Sequence, residues 1–359
     1  MNTFGYLDVN DRIDKENFHF ALIAAKQLAN KFLINGRYVA EESWGPEGNL
    51  YLAESAWALL DMFRITQEKL YLSAVAAILN ELKRIQKPSG GWALELGRSG
   101  LAFTVTDEQR RITSEVEDLP PTVATLRTIS EYYELCGDDS FMPMGKKAFE
   151  YLMDHWDNNY GSFLEKENSP LRKLRSNPRA YHLFSFLGIK YWEKHEPKKI
   201  KIILPTILNF IKDTFESFDS ETMPLIYGLH VAVLLEHMDM NYIENSIYTR
   251  LRKHLMESKF AIGEISGGYG HRDGLRGIVK DEAHIRSACG VAIALKFYDL
   301  YTKTDTFRST KEYRELAQWI IGMCNGKYFN EFQMTSTLQK LGYGSPGQYL
   351  PIWWILGRM

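Results

Sequence analysis

About twelve stretches of this chain carry helical periodicity, and they alternate in kind. One set is apolar on nearly every side: Leu50 to Phe63, Pro120 to Leu135, Arg179 to Trp192, Pro224 to His237, Ala288 to Tyr301 and the terminal QYLPIWWILGRM. The other carries a polar stripe: Asp14 to Phe32, Leu70 to Ile85, Met144 to Trp156, Ile200 to Phe215, Tyr242 to Met256 and Glu312 to Cys324. A helix apolar all round is buried, and a striped one lies half in water. Loop length alternates in step. Turns from the apolar set to the striped set are short (RITQEK, CGDDS, KHEPKK, MDM). Returns are mostly long, with glycine, tryptophan and charge. The pattern predicts an all-α, (α/α)6 toroid: six helical hairpins, an inner and an outer ring, and the long loops gathered at the N-terminal ends of the inner helices. It is read as one domain, 1–359. A small hairpin within Trp92–Thr106 is the main strand signal.

Bulk properties narrow the partners. A hydrophobic content of 45% supports a real core, and a net charge of -2 supplies no global field for nucleic acid or an anionic membrane. The basic runs Lys194–Lys201 and Arg172–Arg175 fall at a short turn and in a loop, without the stacking pattern of a nucleic-acid surface. Cys136, Cys289 and Cys324 are an odd, widely spaced set, which argues against a disulfide framework and fits a reducing compartment. The first residues, MNTFGYLDVNDRIDKENF, lack a basic and an apolar leader region. No apolar run approaches the ~18 residues of a membrane span. The expectation is a cytoplasmic protein with a small-molecule substrate.

A weak repeat runs through the striped segments. Leu82-x3-Gln86-x3-Gly90-Gly91-Trp92 ends one, and Tyr151-Leu152-x3-Trp156-x4-Gly161-Ser162-Phe163 ends the next. Gly267-Gly268-Tyr269-Gly270 and Gly326-Lys327-Tyr328-Phe329 recur at corresponding places, and Asn35-Gly36-Arg37-Tyr38 is a fainter echo. Glycine permits the positive φ that stops a helix, and the aromatic caps the gap between hairpins. The Leu82–Trp92 segment resembles the glutamine-tryptophan repeat of the terpenoid cyclase and protein prenyltransferase toroids. Similar Gly-Gly-aromatic ends occur in six-hairpin glycosidases and polysaccharide lyases. The resemblance implies hairpin stacking, not a reaction. The chain lacks the Asp-x-Asp-Asp acid motif of class II terpene cyclases. Asp281, His284 and Cys289 do not follow the zinc-ligand order of the prenyltransferases. Cys324-Asn325-Gly326 lacks the histidine of the lanthionine cyclases' zinc segment. No metal site and no cofactor are read.

Candidate chemistry collects where the long loops meet the apolar helices. Asp281, Glu282, His284 and Arg286 open the stretch that runs into Ala288–Tyr301. Acids in a first helical turn complement the macrodipole, but His284 and Arg286 oppose it and call for an anion nearby. Asp281, Glu282, His284 and Asp118 are the catalytic candidates, a carboxylate in a partly buried mouth serving as general acid or base. Asp118 is also read as part of a helix cap before Pro120-Pro121. Arg272 and Arg276, beside His271 in a glycine-flanked loop, are suited to a carboxylate or phosphate. Arg179 and Tyr181 begin another apolar helix and would serve a uronate. Glu54 is a carboxylate on an apolar helix, costly to bury unpaired. Trp44, Trp92 and Tyr349 are candidate stacking platforms, and rings of this kind also simply pack the rim. His230 reads as a hydrogen-bonded core residue.

The expectation is a carbohydrate-active hydrolase or lyase acting on a small, acidic oligosaccharide by carboxylate and histidine chemistry. The alternatives are an isoprenoid cyclase-like enzyme without the usual acid motif, and a non-catalytic toroid that binds a peptide or protein.

Overall fold

The computed structural model describes residues 12–39, 48–95, 106–166, 169–171, 181–218, 224–256, 265–273, 277–279 and 281–358. The chain divides into two compact units, Leu28–Thr214 and Met1–Gln27 with Phe215–Met359.

The unit Leu28–Thr214 holds the C-terminal part of α1 (Phe18–Asn35), then α2 (Asn49–Thr66), α3 (Lys69–Ile85), α4 (Asp107–Glu115), α5 (Leu119–Cys136), α6 (Met142–Met153), α7 (Tyr181–Trp192) and most of α8 (Pro197–Ser217). Two prolines occupy the first turn of α5, where a missing N–H costs nothing, and Gly137 closes it in the left-handed region at φ 73°. Every residue of α5 from Leu119 to Tyr132 is buried, as is every residue of α2 from Leu52 to Met62. α2 packs on α3 and α5, and α5 packs on α7. Gly188 lets α7 approach so closely that a Cβ there would lie 2.1 Å from a Val123 methyl.

The unit containing residues 215–359 holds α9 (Pro224–His237), α10 (Ile285–Thr302), α11 (Lys311–Gly322) and α12 (Ser345–Leu356). Residues 240–256 alternate short α and π segments. α10 is buried from Ile285 through Leu300. It crosses α9 at Gly228 and Gly290, where a Cβ on Gly228 would sit 2.2 Å from the Gly290 carbonyl oxygen. Lys296, on this buried helix, donates to the Trp354 and Ile355 carbonyls at 2.6 and 2.9 Å and so closes the last turn of α12. Burial pulls its pKa down to about 7.

The repeat glycines have one structural job. Gly36, Gly90, Gly161, Gly267 and Gly326 all take positive φ. Four of them abut the next striped helix. Gly36 faces Glu81 of α3, Gly90 the Lys147 carbonyl of α6, Gly161 the Thr206 side chain of α8, and Gly267 the Glu315 carbonyl of α11. Gln86 completes one such joint by donating to the Gly90 and Met144 carbonyls at 2.9 and 3.0 Å. Trp92 completes the same joint from its indole N–H, which donates to the Leu82 carbonyl at 2.7 Å. Gly267→Ala combines a positive φ of 77° with a Cβ 2.2 Å from a carbonyl oxygen. It is expected to cost about 2–4 kcal/mol from backbone strain and overpacking together. Urea unfolding of the variant measures this, and a loss below half a kcal/mol would contradict the joint.

Two local expectations change. The sequence predicts a loop from about Lys87 to Leu119, and the structure places α4 inside it. Asp107 and Glu108 stand in its first turn, and Arg111 pairs with Glu115 at 3.0 Å, so local charge supports a helix that has no apolar stripe. The strand signal at Trp92 is real, and among the described residues its partner lies beyond Thr106, at 117–118. β1 (Trp92–Ala93) pairs antiparallel with β2 (Glu117–Asp118), with Trp92 opposite Asp118, and β3 (Trp156–Asp157) pairs with β4 (Ser162–Phe163) in the same way at the end of α6.

Candidate active site

Asp281–His284 do not open α10 as the sequence suggests, and the helix begins at Ile285. Residues 282–284 are extended and form β7 (Glu282–His284), which pairs with β8 (Phe332–Met334), itself paired with β9 (Lys340–Leu341). Backbone bonding holds the chain out of helix here. The His284 N–H donates to the Tyr269 carbonyl at 2.9 Å and the Ile285 N–H to the Glu331 carbonyl at 2.9 Å. The acids therefore do not serve as first-turn dipole partners. His284 is the N-cap instead: its Nδ1 accepts from the Arg286 N–H at 3.3 Å. An accepting Nδ1 places the proton of the neutral ring on Nε2.

That Nε2 faces a residue to which the sequence reading gives no role. Glu331 precedes β8, and its Oε1 lies 3.9 Å from His284 Nε2 and 3.3 Å from an Arg286 guanidinium nitrogen. The Glu331 side chain has no solvent exposure, and neither of its oxygens has an aligned hydrogen bond. Burial holds its pKa above the ordinary carboxylate range, against the pull of Arg286. The backbone under it is fixed, since the Glu331 N–H donates to the Leu341 and Gly342 carbonyls at 3.1 and 2.8 Å. Gly342 is in the left-handed region at φ 68°, and a Cβ there would meet the Phe332 ring at 2.8 Å. His284 stacks on that ring at 6.2 Å between centroids.

A second buried carboxylate–arginine cluster shows the opposite state. In the unit Leu28–Thr214, Glu131 accepts from Arg127 at 2.8 Å and from Arg64 at 2.9 Å, and Arg64 also reaches Asp61 at 2.8 Å. Burial opposes ionisation of Glu131, but Arg127 and Arg64 outweigh it and its pKa is lowered. A satisfied, ionised carboxylate holds structure. A buried carboxyl whose pKa is raised and whose oxygens are short of hydrogen bonds is the kind of group that chemistry uses.

The remaining candidates fall as follows. Glu282 is buried, and it shares a face of β7 with His284, two residues along a strand. Asp281 is exposed, and its carbonyl accepts from the Thr335 N–H and hydroxyl. Asp118 is fully buried and stands at the N-cap of α5, but its side chain makes no cap hydrogen bond. Asp118 and His284 hold equivalent places, each an N-cap paired across a short ladder with an aromatic, Trp92 and Phe332 respectively. Trp92 and Tyr349 are buried, the latter packed on Trp353 at 4.8 Å, so neither presents a ring face to solvent. Glu54 is buried on α2. Tyr181 is the first residue of α7. His271 and Arg272 lie on β5 (His271–Asp273), opposite Val279 and Ile278 of β6 (Gly277–Val279). Trp44, Arg179 and Arg276 fall outside the described residues. His230 is a core residue whose Nδ1–H donates to the Ile226 carbonyl at 2.8 Å, with burial lowering its pKa to about 4.

Glu331 carried no local signal. Its partners lie 45 and 47 residues earlier in the chain (331 minus 286 and 284). The hint was the recurring Gly-aromatic end, after which the chain pairs with the start of an apolar helix.

No family model matches the sequence, and no curated protein matches it either. Solved structures do match in shape. A sugar epimerase from a ruminal bacterium superposes with a TM-score of 0.64 at 10% identity, covering 94% of this chain and 98% of the other. The cellobiose 2-epimerase of Spirochaeta thermophila gives 0.63 at 12% identity, covering 96% and 97%. An alpha-1,6-mannanase of Salegentibacter gives 0.58 at 11% identity, covering 94% and 98%. These likenesses show the fold: the chain is an all-α, (α/α)6 toroid of the six-hairpin kind. Among the described residues no helix is long and apolar enough to cross a membrane.

Proposed function

We propose that this chain is a carbohydrate-active enzyme, a hydrolase or lyase on a small oligosaccharide, working by general acid–base catalysis at the head of α10. The observation that carries the reading is Glu331, a fully buried carboxyl whose ionisation burial disfavours, beside a guanidinium and an imidazole, on a fold shared with sugar epimerases and a mannanase. Its Oε1 faces Arg286 and His284, so Oε2 is left to donate a proton to a glycosidic or ring oxygen. Arg286 then stabilises the carboxylate that forms, and the dry surroundings strengthen that interaction. Glu282, on the His284 face of β7, is the second carboxylate, serving as base. The cluster is ionisable rather than aromatic, which favours sugar chemistry over the isoprenoid alternative.

The test is incubation of the protein with alpha-1,6-mannotriose, cellobiose, mannose and uronide-containing oligosaccharides, followed by chromatography. New reducing ends are the expected product, or unsaturated uronides absorbing in the near ultraviolet. An epimer without new ends would keep the acid–base assignment and change the reaction class. No binding and no change with any of these sugars would remove the carbohydrate reading.

A further inference from the structure

Trp92 and Tyr349, two of the three rings that the sequence offered as platforms, are buried. The structure supplies another pair on the backbone segments that flank Glu331. Tyr328 and Tyr343 are both half-buried, and their rings stack at 4.4 Å with an interplanar angle of 30°. Tyr328 lies three residues before Glu331. Tyr343 follows Gly342, whose carbonyl accepts the Glu331 N–H.

The pair is held by the fold on both sides. Asn325 Oδ1 accepts from the Lys327 and Tyr328 N–H groups at 3.0 and 3.1 Å, which sets the turn under Tyr328. Gln348, in the first turns of α12, accepts from the Phe329 N–H at 3.0 Å and donates to the Phe329 carbonyl at 2.9 Å. That amide therefore holds Phe329, which also bridges antiparallel to Cys324. Tyr343 is fixed between Gly342, pressed on Phe332, and Gly344, the N-cap of α12. Two rings stacked on each other, on backbone clamped at both ends, are ordered before any ligand arrives. Binding to such a surface costs little further ordering. A pyranose presents a face of C–H groups that packs on an aromatic ring.

We propose that Tyr328 and Tyr343 form a stacking subsite for one pyranose ring of the substrate, next to Glu331. This rests on the carbohydrate reading of the head of α10.

Wild type, Tyr343→Ala, Tyr343→Phe and Tyr328→Ala are titrated with alpha-1,6-mannotriose and with cellobiose by calorimetry and saturation-transfer NMR, with melting curves to verify folding. Tyr343→Ala is expected to weaken the bound sugar about 10-fold or more, and Tyr343→Phe to restore it, because the phenyl face suffices. Tyr328→Ala is expected to weaken it less, through loss of the ring that braces Tyr343. Wild type binding a sugar that both alanine variants bind equally well would overturn the subsite and leave the functional reading standing. Wild type binding neither sugar would count against both.

Discussion

Glu131→Ala is expected to destabilise the unit Leu28–Thr214 by about 3–5 kcal/mol, the cost of leaving a buried ion pair half made. Arg127 has only about 1% of its side chain exposed, with its guanidinium between the Trp57 ring at 4.1 Å and the Tyr191 ring at 4.3 Å. The carboxylate of Glu131 is the main offset to that desolvated charge, bonded to Arg127 Nε at 2.8 Å, with a smaller contribution from Asp61. Arg64, one-fifth exposed, turns to Asp61 when Glu131 is lost and loses less. Two cations and two anions balance in the wild type, and the variant leaves one cation uncompensated under three helices. Denaturant unfolding followed by tryptophan fluorescence reads the change through Trp57, whose indole N–H donates to Thr128 beside the network. The double variant Arg127→Met, Glu131→Leu is expected to recover most of the loss, because it removes the charges together. A loss under about 1 kcal/mol in Glu131→Ala would mean that the cluster is ornamental.

The same cluster shows where the sequence stops being readable. Arg127 and Glu131 stand four apart on one helix, a spacing that on its own describes a solvated surface pair. Their burial follows only when α2 and α7 close on α5, and no local pattern announces that. The helices were legible because apolar periodicity is local: the buried run from Ile285 to Leu300 and the striped α3 and α11 lie where their side chains predict. The repeat glycines were legible for the same reason, since positive φ is a demand on one residue. The head of α10 was misread because strand pairing is non-local. Glu282–His284 is extended through its ladder with Phe332–Met334, half a hundred residues away, and the local bias of Asp281 and Glu282 toward a helix start loses to those bonds. Candidate site residues divide along the same line. His284 stands out in the sequence by its misfit with a helix dipole, a local argument. Glu331, the anion that the misfit called for, could be found only by folding the chain.

Glu331→Gln is expected to lower turnover about 10²–10⁴-fold on whichever sugar the chain converts, the usual worth of a positioned proton donor. Glutamine keeps the shape and an acceptor for Arg286, so binding should persist while chemistry fails. The pH behaviour separates this from a merely structural role. Burial, opposed by Arg286, raises the pKa of Glu331 in the folded chain. Between the unfolded and folded values the native state binds the extra proton. Glu331 therefore adds stability below its unfolded pKa, and that contribution is lost as pH rises through the folded one. Wild type should accordingly lose stability with rising pH just above the ordinary carboxylate range, and Glu331→Gln should lack that loss. Turnover should fall along the same limb, since only the protonated carboxyl donates. A variant that keeps full turnover takes the proton away from Glu331. A wild type whose stability is flat across the window, with the variant's, would mean that Arg286 keeps the carboxylate ionised, as Arg127 does for Glu131, and that the head of α10 is a structural joint like its counterpart.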